Sequence, residues 1–213
     1  MSVATEKLVV VDHPLVQHKL GMLREDSTPT HLFRQLVDEV TLLLTYEATK
    51  DLATEEVEIE TPLERTTVQR ISGKKVAVCP ILRAGLGMLD GVLSLISGAR
   101  VGFIGLYRNE ETLQPVEYYV KLPADVAERD VILLDPMLAT GNSTTAAVST
   151  VKNAGASSVR LIAIIAAPEG IERLHAEHPD VTVVVAAVDR GLNEKGYIVP
   201  GLGDAGDRLF GTK

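Results

Sequence analysis

The segment Val131-Ile132-Leu133-Leu134-Asp135-Pro136-Met137-Leu138-Ala139-Thr140-Gly141-Asn142-Ser143-Thr144 runs from an aliphatic strand through an acid and a short loop into a helix opened by small hydroxyl residues. A wholly apolar strand of this kind is buried on both faces, as in a parallel sheet covered by helices. Its surroundings repeat the pattern. Aliphatic runs predict strands over Val76–Cys79, Val101–Leu106, Val159–Ala166 and Val181–Val188. Helical spacing predicts helices over Gly85–Ile96, Ser143–Asn153 and Glu169–His178. Strands separated by single helices imply right-handed crossovers, so the expected class is α/β, a parallel sheet flanked by helices. Sites in such sheets lie beyond the carboxyl ends of the strands, where Asp135 falls.

Upstream, Leu8–Val11 reads as a short strand and Pro14 to about Arg24 as a helix. Thr30 is the expected cap of a long helix to about Leu52, with Phe33, Leu36, Val37, Val40, Leu43 and Leu44 at helical spacing. The alternating stretches Val57–Pro62 and Thr66–Ile71 predict a β-arm over about 55–72 that stands off the main sheet and finds its partner on another subunit. Glu55, Glu56, Glu58 and Glu60 are expected on one solvated face of it. A second insertion, about 107–123, alternates at Thr112, Gln114, Val116, Tyr118 and Val120 and reads as a hairpin. No linker or repeat interrupts the chain, so residues 1–213 read as one domain.

Composition narrows the function classes. Aromatic residues are scarce and Trp is absent, so the core is built from Val, Ile, Leu and Ala. A net charge of -8 repels nucleic-acid backbones, so any anion must be held by a local cluster. Cys79 is the single cysteine; inside an apolar strand it reads as a packed thiol in a reducing compartment. No apolar run approaches the roughly 18 residues of a membrane span, and a cytoplasmic location is expected. His175 and His178, close to Glu172 and Glu177, read as a solvated helix end, since no third ligand accompanies them.

The chemistry starts at the quoted segment. Free N–H groups and the dipole at a helix start form an anion cradle, to which Thr140, Ser143 and Thr144 add hydroxyl donors. Gly141 lets the backbone approach the anion, and Asp135 can accept hydrogen bonds from a sugar diol. Together they suit a ribose 5-phosphate. An ordinary turn capped by Asn142 or Ser143 would look much the same, and no P-loop lysine follows. In Ile81-Leu82-Arg83-Ala84-Gly85, the cation at a helix start is misplaced against the dipole unless an anion binds there. The Arg83 fork matches phosphate oxygens. Gly201-Leu202-Gly203-Asp204-Ala205-Gly206 fits the dinucleotide glycine pattern literally, but no buried strand feeds it and no βαβ unit can follow.

These motifs resemble those of the type I phosphoribosyltransferases, which bind phosphoribosyl pyrophosphate (PRPP). Asp135-Pro136-Met137-Leu138-Ala139-Thr140-Gly141 is similar to the uracil-specific branch, where Pro136 replaces a second acid. The likeness continues through Tyr46–Leu52, Pro80–Gly85, Tyr107-Arg108 and Tyr197–Arg208; Asn142 departs from the glycine usual at its position. It implies that PRPP meets Arg83, Arg108, Asp135, Pro136, Met137, Leu138, Ala139, Thr140, Gly141, Asn142, Ser143 and Asp204, with Asp135, Arg83 and Arg108 catalytic. It also implies a non-proline cis peptide in the Arg83 loop and closure of the 107–123 hairpin over the site. Uracil is expected on Ile198, Gly203, Asp204 and Ala205 within a base-binding segment of about 190–213. Mg²⁺ is expected as cofactor, carried by PRPP rather than by protein ligands, with Asp204 near PRPP or its magnesium.

The resulting expectation is transfer of phosphoribose from PRPP to uracil, giving UMP and pyrophosphate. Known members also bring GTP as a candidate effector and a homodimer or larger homo-oligomer. Two rivals are transfer to another nucleobase and a nucleotide-sensing RNA-binding regulator on the same fold. Orotate would want a cation that the tail does not offer, and the acidic charge opposes RNA.

Overall fold

The computed structural model describes residues 7–73, 76–108 and 115–212. In chain order, β1 (Leu8–Val10), α1 (Pro14–Arg24) and α2 (Thr30–Ala48) lead into β2 (Thr54–Glu60) and β3 (Arg65–Ile71). Then come β4 (Ala77–Leu82), a 3-10 helix over Ala84–Met88, α3 (Leu89–Leu95), β5 (Arg100–Val101), β6 (Phe103–Arg108) and β7 (Pro115–Lys121). The remainder is β8 (Asp130–Leu134), β9 (Met137–Leu138), α4 (Asn142–Asn153), β10 (Ser158–Ala166), α5 (Pro168–Glu177) and β11 (Thr182–Val188). The tail holds β12 (Gly191–Leu192), β13 (Ile198–Val199) and α6 (Ala205–Phe210).

The main sheet has the order β1-β11-β10-β8-β4-β6-β7. All pairs are parallel except β6 with β7, so the second insertion adds an antiparallel edge strand to the sheet itself. Thr112 and Gln114 of that insertion lie outside the described residues. Alternate side chains of the aliphatic strands fill two cores. Ile132, Leu134, Ile162 and Ile164 pack with the residues of α1, α2 and α6, while Val131, Leu133, Leu161 and Ala163 pack with those of α4 and α5. Burial on both faces is why these strands carry no polar alternation. Cys79 lies within the second core, and desolvation pushes its thiol up to about 12, which leaves it an unreactive packing group.

Several boundaries differ from expectation for local reasons. The long helix stops at Ala48 because Arg160 of β10 donates to the Ala48 carbonyl at 2.6 Å and pairs with Asp51, capping the helix end with a cation. Its N-cap is Pro29, and Thr30 is already helical. β4 runs on through Pro80 to Leu82, in register with β8, where Pro80 faces Leu134. The segment after it winds as a 3-10 helix before α3. β2 and β3 pair antiparallel as a two-stranded sheet of their own. Glu56, Glu58 and Glu60 share a face there, but the period-2 backbone turns Glu55 to the opposite one, with Val57 and Ile59. His178 Nε2 meets Ser149 Oγ at 2.9 Å and His175 Nε2 meets the Val181 carbonyl at 3.0 Å, so both rings tie α5 to its neighbours instead of standing in solvent.

Leu161 of β10 is fully buried in the second core. Leu161→Ala should lower unfolding free energy by about 2–5 kcal/mol, read from chemical denaturation, because the strands around the void cannot collapse into it.

Candidate active site

β4 and β8 are neighbours in the sheet, yet the chain leaves them in opposite directions, β4 toward β6 and β8 toward β10. A crevice opens at such a switch point, beyond the carboxyl ends of the two strands. Arg83 follows the last residue of β4 and Asp135 the last of β8, so the topology brings together residues far apart in sequence. The Leu82–Arg83 peptide is cis, as the resemblance implies, and Arg83 is exposed. A methyl at Gly85 would stand 2.2 Å from the Leu134 carbonyl oxygen, so only glycine lets the Arg83 loop lie against the end of β8.

Asp135 sits at the floor of the crevice. Its N–H donates to the Ile162 carbonyl at 3.2 Å, and its carboxylate accepts the Thr144 hydroxyl at 3.0 Å and the Met137 N–H at 3.3 Å. Burial outweighs these two bonds and raises the carboxyl to about 6. Pro136 is buried, and its carbonyl accepts the N–H groups of Ile164 and Ile165 at 3.0 and 3.1 Å, stapling the loop to β10. A cavity of about 230 Å³ lies between Asp135 and the start of α4, lined by Met137, Ala139, Thr140, Gly141, Asn142, Ser143 and Thr144. Gly141 is the N-cap of α4 with φ +79°, a left-handed conformation natural to glycine. Asn142 is therefore the first helical residue and not the cap, so a side chain at the departing position fits without distorting the loop.

A second cavity, about 250 Å³, adjoins the first through Asp135, Met137 and Ala139. Its far wall is the tail: Gly196, Tyr197, Asp204, Ala205 and Gly206, with Ala84 beside them. Asp204 caps α6 by accepting the Asp207 N–H at 2.9 Å, which fixes its carboxylate at the rim. Ile198 is buried in the core under this wall, and Gly203 is exposed at the turn with φ +80°. Among the described residues no group of three or more His, Cys, Asp or Glu side chains is placed to hold a metal. Asp135 and Asp204 are the acids that line the crevice.

The model of the family described as uracil phosphoribosyltransferase matches residues 10–212. The chain belongs to the uracil phosphoribosyltransferase family. The uracil phosphoribosyltransferase of Clostridium botulinum (strain Eklund 17B / Type B) is 60% identical over 207 residues, covering 97% of this chain and 99% of the relative. That of Thermoanaerobacter sp. (strain X514) is 57% identical over 208 residues, covering 98% and 99%. A solved protein of Aquifex aeolicus superposes with a TM-score of 0.91 at 40% identity, covering 95% of this chain and 97% of that one. The adenine phosphoribosyl transferase of Trypanosoma brucei, at 13% identity and a TM-score of 0.59 over 92% of this chain and 90% of its own, shares the fold.

Of the site residues expected from sequence, Asp135, Met137, Ala139, Thr140, Gly141, Asn142 and Ser143 line the first cavity and Pro136, Asp204 and Ala205 the second, whereas Arg83, Ile198 and Gly203 line neither and the Leu138 side chain is buried in the second core. Arg108 ends β6, and its side chain lies outside the described residues. Ala84, Gly196, Tyr197 and Gly206, to which the sequence assigns no individual role, line the second cavity. Ala84, Tyr197 and Gly206 fall within the quoted family stretches, and Gly196 directly precedes one.

The raised Asp135 carboxyl fixes two pH effects. A carboxylate is the better diol acceptor, so kcat/KM for PRPP, which reports the free enzyme, should fall as pH drops through about 6. The folded-state value lies above the unfolded one, so this group favours folding below about 4, and the benefit is lost as pH rises through about 6. At pH 7 Asp135→Asn should therefore keep the fold, with a melting temperature no lower than that of the parent chain, while losing PRPP turnover and the acid limb of its pH profile. A variant with unchanged PRPP kinetics would remove the carboxylate from the site.

Proposed function

We propose that the crevice joins N1 of uracil to C1′ of PRPP, breaking the C1′–oxygen bond to the diphosphate and releasing pyrophosphate with UMP. The observation that carries this is the pair of adjoining cavities with Asp135 between them, one polar and built on a helix start, the other walled by the tail. The N–H groups opening α4 have no carbonyl of the same helix to bond, so with the Thr140 and Ser143 hydroxyls they receive the 5-phosphate. Asp135 accepts from the ribose diol next to that cradle. Fixing both ends of the sugar holds C1′ in line with the base, which removes much of the entropic barrier.

Charge builds on the departing diphosphate in an oxocarbenium-like transition state. Arg83, on a loop pinned by Gly85, answers it with a planar fork, and Arg108 is assigned to the same group. Mg²⁺, when bound with the diphosphate, would supply further neutralisation of the leaving group. Closure of the 107–123 hairpin over the site would exclude water; its return strand β7 is paired to β6. Leu63, 95% exposed at the turn between β2 and β3, gives the expected contact with another copy an apolar anchor.

Uracil presents an acceptor, a donor and an acceptor along one edge. Main-chain groups of Ile198, Gly203 and Ala205 answer with donor, acceptor and donor, and Asp204 faces PRPP or its magnesium. No lysine or arginine is among the described residues lining the base cavity, which leaves orotate without a partner for its carboxylate.

A panel of nucleobases with PRPP and Mg²⁺ tests the assignment. Uracil should yield UMP, and cytosine should react at least about 100-fold less efficiently, because it leaves two pocket groups unpaired at about 1–3 kcal/mol each. Equal use of cytosine, or a purine nucleotide as the main product, would overturn it. Arg83→Lys should cut kcat/KM for PRPP about 10- to 100-fold in spite of the retained charge, since an ammonium cannot reproduce the fork. Wild-type turnover at saturating PRPP in that variant would take Arg83 out of the mechanism.

A further inference from the structure

If the tail selects uracil through its main chain, selectivity depends on whatever holds that main chain in place. Gly201 lies inside the segment, between β13 and α6, at φ +67°. Both hydrogen-bonding groups of Gly201 are occupied by one ion pair. Its N–H donates to Asp189 Oδ2 at 2.9 Å, and its carbonyl accepts from Arg24 Nη1 at 2.8 Å. Arg24 and Asp189 are in turn joined by a two-pronged contact, Nη1 to Oδ2 at 2.8 Å and Nη2 to Oδ1 at 2.6 Å. Arg24 is the last residue of α1, and Asp189 directly follows β11, its own N–H held by the Ala166 carbonyl at 2.8 Å. The tail is thus clamped to two rigid elements that do not line either cavity of the crevice.

The Asp189 side chain is 4% exposed. A buried ion pair is a poor device for stability alone, because apolar side chains of similar volume hold an interface at least as well. What it adds is direction: the fork and carboxylate fix where the Gly201 N–H and carbonyl point. We propose that Arg24 and Asp189 are positioning residues for base selection, gripping the Gly201 peptide so that the turn from Ile198 to Ala205 presents its main chain to uracil. This rests on the reading of the tail as the base pocket.

Arg24→Lys retains the cation but cannot reach Asp189 twice and Gly201 at once. In this variant, and in Asp189→Asn, KM for uracil should rise about tenfold or more, in line with loss of one or two directed bonds. The uracil-to-cytosine ratio of kcat/KM should narrow, while KM for PRPP stays within about twofold, as the cradle on α4 is separate from the clamp. A purely structural role would move both substrates together or lower only the melting temperature. Should the single variants fail to fold, Arg24→Met combined with Asp189→Leu restores an apolar contact without direction and should show the same uracil defect. Ala205→Val, which narrows the base cavity, separates the two ideas. If Ala205→Val impairs uracil use but folded Arg24→Lys and Asp189→Asn, or the double variant, keep wild-type uracil KM and selectivity, the clamp has no positioning role. If Ala205→Val has no effect on uracil, the base-pocket reading falls and the proposal with it.

Discussion

At Gly85 the Arg83 loop lies against the last carbonyl of β8 with no room for a side chain, a methyl there being 2.2 Å from the Leu134 oxygen. Because Leu134 is bonded to Asp135, this one contact sets how closely the Arg83 loop lies to Asp135. It also allows the first turn of α6 to close the crevice from the third side, with Gly206 near Ala84. The sheet provides the neighbourhood, since β4 and β8 are paired from Ala77–Val131 to Pro80–Leu134. Without the close approach, however, parallel strands alone would leave a gap between their loops.

The same crowding makes the site electrostatically costly. Asp135 is driven toward its neutral form by desolvation, and only the Thr144 hydroxyl and the Met137 N–H oppose that drive. A carboxyl destabilised in the empty fold gains from any ligand that brings donors and positive charge to it. Under the proposed function PRPP would bring such donors in its ribose diol, so binding would relieve a penalty that folding leaves in place. Cys79 on the adjacent strand shows the other result of burial. With no ligand to meet, it stays neutral and serves as packing.

How much of this could be read in the sequence depended on the range of the interaction involved. Local periodicity gave α1 its boundaries and β8, β10 and β11 theirs to within a residue, because aliphatic runs report burial directly. The lining of the cavity at the start of α4 was legible too, its residues and Asp135 lying within a single short segment. What failed was set from a distance. The end of α2 depends on Arg160, 112 residues away from Ala48, and the hydrogen bonds of His178 depend on Ser149, 29 residues away. Gly141 took the cap from Asn142 because the loop required a left-handed residue there, a property of backbone path that Asn and Ser composition does not reveal. Arg24 and Asp189, 165 residues apart and unremarkable in their local sequence, could be paired only once the sheet had brought them together.

Base choice was legible for a different reason. A pocket that recognises its ligand through main-chain groups leaves no side-chain signature, so neither charge nor motif chemistry in Ile198–Ala205 names uracil; family resemblance supplied that reading. The physical trace is indirect. Positive-φ glycines at 201 and 203, a helix capped by Asp204 and a clamp on both the N–H and the carbonyl of Gly201 together specify a backbone path. A main chain held this firmly can offer a fixed row of donors and acceptors, and a fixed row discriminates between bases that differ only in where they carry a proton. If the tail is the base pocket as proposed, its rigidity is the part of the fold on which uracil selection rests.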